Sequence, residues 1–296
     1  SQFHIQQAVL RHRADLGGAF SSEIILNYYP DGEKQVGITQ GFIEYKPLSR
    51  SAWNWQTKMG LFYPEMSLEN TQIAWLSPYT YTNSAINSWI GEELRAAGGE
   101  FAITYAGRKA RSPHSFKFVG GFFRGNDPAG TQLSWRGWAQ HDRQSLLEDR
   151  LRFAPYPSVV DYDKMWHPAW VEPFREIDNK TGFYLGAHWR YLQKAQVRFY
   201  RYDNNANPLA VDDDRIYAWH TKFDSLALQY RFTPDSRLIA QWMDGTTEMG
   251  ANHAVYVAFD SWYVMASHSF NQHRLSLRFD KWKVEEMDYV PEDYND

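Results

Sequence analysis

The 296-residue sequence has no cysteine. This excludes a disulfide scaffold, a thiolate nucleophile and any thiolate-ligated metal centre. No apolar run approaches the ~20 residues a membrane-crossing helix needs, and the segment after Ser1 lacks the basic-then-apolar layout of a signal peptide. A helical membrane protein is therefore excluded, and any export signal is expected to have been removed. An excess of positive charge is missing as well: 31 Lys and Arg face 35 Asp and Glu, a formal charge of −4. A general nucleic-acid binder would show a basic stripe, so no nucleic-acid partner is expected. Catalytic signatures are absent too: no Gly-x-Ser-x-Gly, no His-Glu-x-x-His, no phosphate-cradling glycine loop and no helical calcium loop. Adjacent strand residues point to opposite faces, so neither Ser267-His268-Ser269 nor His141-Asp142 can cooperate directly. Glu92-Glu93 lacks a second strand-borne acid across a sugar site, and Asp212-Asp213-Asp214 reads as a solvated acidic run before it reads as a calcium site. The chain is thus not expected to be an enzyme, and no cofactor or metal is expected.

Aromatic residues are what the sequence has in abundance: 13 Trp, 19 Tyr and 18 Phe in a chain of mean hydropathy −0.61. A soluble core with so many rings should carry more Leu, Ile and Val. A transmembrane β-barrel, by contrast, needs rings at two interfaces and polar residues in its lumen.

Period-two alternation runs from end to end, clearest in residues 53–61, where Trp53, Trp55, Met59 and Leu61 share one face and Asn54, Gln56 and Lys58 the other. Similar segments span 3–16, 19–30, 36–46, 94–108, 115–125, 181–193, 195–204, 223–233, 236–244, 261–270 and 273–284. Each has about the ~9–11 residues, plus overhang, of a tilted membrane strand. The connections alternate between tight ones, such as 16–18, 47–50 and 233–235, and long ones, such as 64–93, 126–180, 205–222 and 244–260. Tight turns at one end and long loops at the other are the pattern of an outer-membrane barrel. The same parity leaves the strand-like piece 132–138 within a loop. It also puts Ser1 and Asp296 on the long-loop side, whereas barrel termini normally lie at the other end. The expectation is one all-β domain over 1–296, a transmembrane antiparallel barrel with about twelve strands readable here. At least one strand is expected to be missing before Ser1 and one after Asp296, the intact barrel having 14–16.

An unpaired charge on the lipid face costs roughly 2–4 kcal/mol at the midplane, so charged strand positions mark the lumen face. This rule assigns Arg11, Arg13, Glu44, Lys58, Glu100, Lys117, Arg190, Arg198, Arg231, Arg274 and Arg278 to the lumen, a predominantly basic set. Tyr28, Tyr63, Tyr105, Tyr191, Phe232, Trp242 and Trp262 fall near strand ends and are expected at the headgroup level.

The run from Gly60 to Asn70, GLFYPEMSLEN, on a strand that follows the turn Tyr45-Lys46-Pro47, resembles the strand-to-loop passage of the phosphate-selective porin O/P-like superfamily. The likeness covers about 36–108. It implies a 16-stranded outer-membrane porin, often trimeric, with an infolded loop narrowing the pore. Candidates for that constriction are the loop 64–93, with Glu65, Glu69, Glu92 and Glu93, and the loop 127–180, with Arg136, Asp142, Arg143, Arg150 and Arg152. Glu23, Glu44 and Glu100 interrupt the basic ladder of the phosphate-selective members, which leaves a general or carbohydrate-passing channel open beside an anion channel. The expected function is passive diffusion of small hydrophilic, mainly anionic, solutes across the outer membrane of a Gram-negative bacterium. Expected partners are membrane lipid, lipopolysaccharide, small solutes and two further copies in a homotrimer. Two alternatives stand beside it: a soluble secreted β-protein stacking polysaccharide on its rings, and a plugged barrel serving as an adhesin or partner platform.

Overall fold

A computed structural model describes residues 5–155 and 167–287. Twelve strands form one antiparallel meander: β1 (Ala8–Gly17), β2 (Phe20–Tyr28), β3 (Val36–Tyr45), β4 (Trp53–Phe62), β5 (Ala96–Tyr105), β6 (His114–Arg124), β9 (Gly182–Tyr191), β10 (Ala195–Asp203), β11 (His220–Arg231), β12 (Ser236–Met249), β13 (Val255–Phe270) and β14 (His273–Glu286). Between them lie two short helices, α1 (Ala85–Glu93) and α2 (Thr131–Arg136), and a separate two-stranded ribbon of β7 (Leu151–Arg152) and β8 (Trp170–Val171). Every wall strand pairs with the wall strands before and after it in sequence, the up-and-down order of a β-barrel. Among the described residues β1 pairs only with β2 and β14 only with β13, so the wall has two unpaired edges.

The strands form where the alternation is strongest, and their two faces differ as period two requires. On β9 the even residues Tyr184, Gly186 and His188 are buried, whereas Phe183 and Leu185 are exposed. On β4 Lys58 and Phe62 face in while Trp53, Trp55 and Met59 face out. The outer face carries Leu10, Ile24, Ile43, Met59, Phe101, Phe118, Phe122, Leu185, Leu226 and Leu277, all exposed. Near the tight turns that face becomes a belt of rings in contact: Phe20 with Tyr45 (4.5 Å), Tyr45 with Trp55 (5.3 Å), Trp53 with Tyr105 (5.2 Å), and Tyr230 with Phe232 (5.0 Å).

Four sequence expectations change. Residues 131–136 form α2 and not a strand-like piece, because Leu133 and Trp135 are buried by side chains outside the segment. The expected long loop 244–260 shrinks to 250–254: Thr247, Met249, Val255 and Val257 continue both strands by burying an inner face against Trp135 and Trp219. Tyr63 is not at a lipid interface; it is buried inside, its hydroxyl donating to the Gly91 carbonyl (2.9 Å) and its ring stacked on Trp75 (4.7 Å). Trp242 and Trp262 face each other across mid-strand, not at strand ends, because β12 and β13 run further than the alternation alone indicated.

Candidate functional site: a charged interior with two infolded segments

Near the end of β4, Gly60 pairs with both neighbouring strands, and its φ of +137° and missing side chain are both needed: a Cβ there would lie 2.3 Å from the Gly41 carbonyl oxygen. From Tyr63 to Arg95 the chain then runs inside the wall. Ser84 caps α1 by accepting from the Asn87 amide, and every residue of α1 is buried. Its centre is Trp89, edge-on to Trp138, Phe223 and Phe259 at 5.9, 5.4 and 5.3 Å. Phe223 and Phe259 are inner-face residues of β11 and β13, so the helix packs directly on the wall.

The second infolded segment, from Gly125 onward, is tied to the first through carboxylates. Glu93 accepts from Trp89 Nε1 (2.5 Å) and from the Gly130 and Gln132 amides at the start of α2 (3.2 and 3.0 Å). Burial, with Glu92 beside it, pushes Glu93 up to about 7. Burial also acts to raise Glu92, but hydrogen bonds from His141 (3.3 Å) and a bidentate pair with Arg136 (3.0 and 2.6 Å) outweigh it and bring Glu92 down to about 2. Arg95 donates to the carbonyls of Thr39 (2.5 Å) and Ser145 and lies 3.8 Å over the Phe174 ring.

Glu69 and Glu93 are therefore not side chains facing an aqueous constriction, and Glu92 only borders one depression; all three are buried struts that hold the infolded segments together. Glu69 accepts from the Ser84 amide and hydroxyl (2.6 Å to the latter), from Asn87 Nδ2 (2.8 Å) and from Arg278 (2.8 Å), and burial still raises its pKa. Arg278 also donates to Asp280 (2.7 Å) and to the Thr82 and Asn83 carbonyls. It lies on the inner face but is spent as the anchor between β14 and the first segment. Arg274, donating to the Pro78 carbonyl, reinforces that anchor. In the second segment Arg143 pairs with buried Asp149 (3.0 Å) and Asp142 is exposed, so neither meets the carboxylates of α1. Arg136, Arg143, Arg150 and Arg152 do line one 320 Å³ depression on the long-loop side, together with Asp31, Glu33 and Glu92. Two carboxylates of the acidic run 212–214 pair with Arg175, 3.0 Å from Asp212 and 2.5 Å from Asp214.

The tight-turn half of the interior is different: it is open and charged. Two cavities, of 370 and 540 Å³, share Glu65 and Arg198 in their walls. Lys117 Nζ lies 3.0 Å from Glu65, and Arg198 donates to the carbonyls of Glu65 (3.0 Å) and Ser67 (2.8 Å). Burial acts to raise Glu65, but Lys117, Arg198 and Lys58 outweigh it and bring it down to about 2. Arg11 pairs with Glu23 (2.5 Å); Lys58 lies 3.7 Å from Glu100 and over the Phe42 and Phe62 rings. Glu100 also accepts from the Tyr184 hydroxyl (2.7 Å). Glu44 stands opposite Lys58 across the β3–β4 ladder and lines the 370 Å³ cavity. Arg13, Arg190 and Arg231 have no carboxylate partner among the described residues. The latter two line a further 360 Å³ cavity with Gln193, Gln196 and Gln229, and Arg231 Nε is buried there without an acceptor.

All eleven strand residues singled out by alternation fall on the inner face by strand parity, and five of them, Arg11, Lys58, Glu100, Lys117 and Arg278, are ion-paired. Missing from that list were Trp89, Trp138, Arg95 and Asn87. Ser84 with Asn87 three residues on was the only local sign of the helix that carries two of them. The acidic trio Asp127, Glu176 and Asp178 brings its carboxylate oxygens within 4.8 Å of one another. These oxygens cap backbone amides, as Asp127 does for Ile177 (2.6 Å) and Asp178 (3.2 Å), which accounts for the cluster.

Neither protein-family models nor curated proteins match the chain. Among solved structures, similar ones include an anion-selective porin from Comamonas acidovorans (10% identity, TM-score 0.47, 94% of this chain and 69% of that one). Others are a loop-deletion mutant of the outer-membrane protein OmpT of Vibrio cholerae (9%, 0.46, 94% and 85%) and the outer-membrane channel DcaP of Acinetobacter baumannii (11%, 0.43, 95% and 79%). Overlaps of this quality assign no function; the β-barrel fold rests on the strand ladder of the chain itself.

Proposed function

We propose that the protein is an outer-membrane porin of a Gram-negative bacterium, passing small hydrophilic solutes, preferentially anions, through the charged interior. One observation carries the reading. The wall is inside out relative to a soluble sandwich, with exposed Leu, Ile, Met and Phe and a belt of touching rings outside, and Arg, Lys and Glu inside. Burying a charge in hydrocarbon is costly, whereas an aqueous lumen accommodates it. The belt rings lie on the outer face and, among the described residues, line none of the cavities described above, which does not suit a polysaccharide-stacking protein. The infolded segments 63–95 and 125–155 act as the size filter, and no step of catalysis and no cofactor is invoked. Homotrimeric assembly belongs to the proposal through the phosphate-selective porin O/P-like resemblance, as does closure of the wall at 14–16 strands. Cross-linking in detergent tests the trimer.

The residues proposed to set selectivity are the unpaired Arg13, Arg190 and Arg231, together with Lys117 and Arg198 beside Glu65. The test is single-channel recording in a planar bilayer under a KCl gradient. Stepwise conductance with an anion-selective reversal potential is expected, moving towards cation selectivity in Arg190→Glu with Arg231→Glu. A second reading is favoured by the complete burial of α1: a barrel plugged at its long-loop end, serving as a partner platform. That reading predicts a folded, detergent-dependent protein that never conducts.

A further inference from the structure

Glu65 is carried into the open half of the interior by an infolded segment, not by the wall. Wall cations surround it on the inner faces of β6, β9 and β10: Lys117 at 3.0 Å, with Arg190 and Arg198 lining the same 370 Å³ cavity. In cross-strand register Lys117 faces His188, and Ser115 faces Arg190. Lys117 and Arg190 are therefore diagonal neighbours on one face, roughly 7–8 Å apart at the backbone, within the reach of long side chains.

Charge makes the arrangement informative. The cavity is lined by Lys46, Lys117, Arg190 and Arg198 against Glu44 and Glu65. Two positive charges are uncompensated with Glu65 in place, and three once it withdraws. Arg190 has no carboxylate partner among the described residues, and the His188 ring is engaged with the Tyr200 hydroxyl (2.9 Å). The Glu65 side chain keeps 39% of its surface open to solvent, while that of Lys117 keeps 15%, so the carboxylate is the more accessible half of the pair. Arg198 grips the segment by the main-chain carbonyls of Glu65 and Ser67, not by the carboxylate. The Glu65 side chain can therefore swing away while the chain stays docked.

We propose that this cavity is a binding site for small multivalent carboxylates, in which Glu65 is a tethered competitor that an incoming carboxylate displaces from Lys117. The inference deepens the porin reading by naming a solute class, and rests on it for access to the interior. Arg190 supplies a fork-shaped guanidinium group that matches a carboxylate's two oxygens, while Arg198, whose donors are engaged by the Glu65 and Ser67 carbonyls and the Gln196 amide oxygen, contributes its charge. The exchange of Glu65 for the solute on Lys117 leaves no buried ammonium unpaired at any stage, which favours passage over trapping. Binding must be weak enough to release, and a resident competitor achieves that without removing the cations.

The test is calorimetric titration of the detergent-solubilised full protein with citrate at constant ionic strength, inorganic phosphate serving as the comparison anion. Glu65→Gln should bind citrate about tenfold more tightly than wild type, and Glu65→Asp about as wild type. Lys117→Met and Arg190→Gln should each weaken it about tenfold or more. Citrate affinity unchanged in Glu65→Gln, or phosphate bound as tightly as citrate, would overturn the proposal. Should Glu65→Gln fail to fold, Lys117→Met against wild type decides: loss of citrate binding supports the site and unchanged binding refutes it. Conductance of the same preparations tests the porin reading separately. A silent protein whose citrate affinity still depends on Glu65 keeps the site and loses the channel.

Discussion

Truncating Trp89 to alanine attacks the contact that docks the first infolded segment. The side chain is 2% exposed, touches three aromatic neighbours and donates to Glu93. Loss of a buried Trp costs about 3–5 kcal/mol. The carboxylate it leaves short of a donor adds about 1–3 kcal/mol, less whatever relaxation recovers. Taking ~4 kcal/mol, the ratio of undocked to docked segment rises by a factor of about 1,000. A nine-residue helix cannot persist on its own once undocked, so it unravels and exposes its buried positions. The chain has no cysteine, which makes a reporter simple: Ala85→Cys, at a fully buried position, followed by maleimide labelling. When opening is fast relative to labelling, the labelling rate tracks the open population. It should rise about a thousandfold in the Trp89→Ala background, with larger or noisier conductance steps. Labelling within threefold of the parent, with unchanged conductance, would refute the idea that this aromatic cluster holds the segment.

The same reporter reads pH. Glu93 has a docked pKa raised to about 7, from 4.5 when undocked, so its contribution favours docking below about pH 4.5 and is lost as pH rises to 7 and above. The change is at most roughly 3 kcal/mol. Divided by the rate of a free thiol at each pH, which removes the intrinsic thiolate dependence of maleimide labelling, the labelling rate should rise over that window in wild type and rise less in Glu93→Gln; a normalised wild-type rate insensitive between pH 4.5 and 7 would contradict the assignment. Burial, with Glu176 and Asp178 nearby, likewise raises Asp127 to about 7, in the same direction, so Asp127→Asn in the Glu93→Gln background removes any remaining slope. Arg278→Ala strands Glu69 and should destabilise the docked segment by about 3–5 kcal/mol. It should therefore speed labelling without the reversal-potential shift that Arg190→Glu and Arg231→Glu produce. Gly60→Ala combines a forbidden backbone angle with a clash at the Gly41 carbonyl, and should lower stability by about 1–3 kcal/mol in thermal unfolding. A neutral result would mean that the left-handed backbone angle at Gly60 is not required.

The strands were legible because each needs only its own residues to declare two faces: the alternation of Trp53 and Trp55 with Asn54 and Gln56 already separates outside from inside. The inner position of Arg190, Arg198 and Arg278 followed from the same rule. The helix α1 was not legible, since it is buried all round and carries Asn87, Ser88, Glu92 and Glu93 where an amphipathic pattern would place apolar residues. Those side chains are satisfied by Gln241, His141, Arg136 and the Gly130 amide, groups far away in the chain. The lengths of β12 and β13 were misjudged for a related reason, because what extends them is burial against Trp135, not their own periodicity.

Local chemistry by itself determined that this chain is an antiparallel β wall, apolar and aromatic on one face and charged on the other, because period two and the cost of a charge in hydrocarbon act residue by residue. Only the tertiary structure decided which charges are free. Arg278 meets Glu69 across 209 residues and Lys117 meets Glu65 across 52, and such pairings depend on where the infolded segments come to rest. A basic residue whose partner arrives from a distant loop becomes a strut, and one that finds no carboxylate among the described residues, such as Arg190, stays available to a solute.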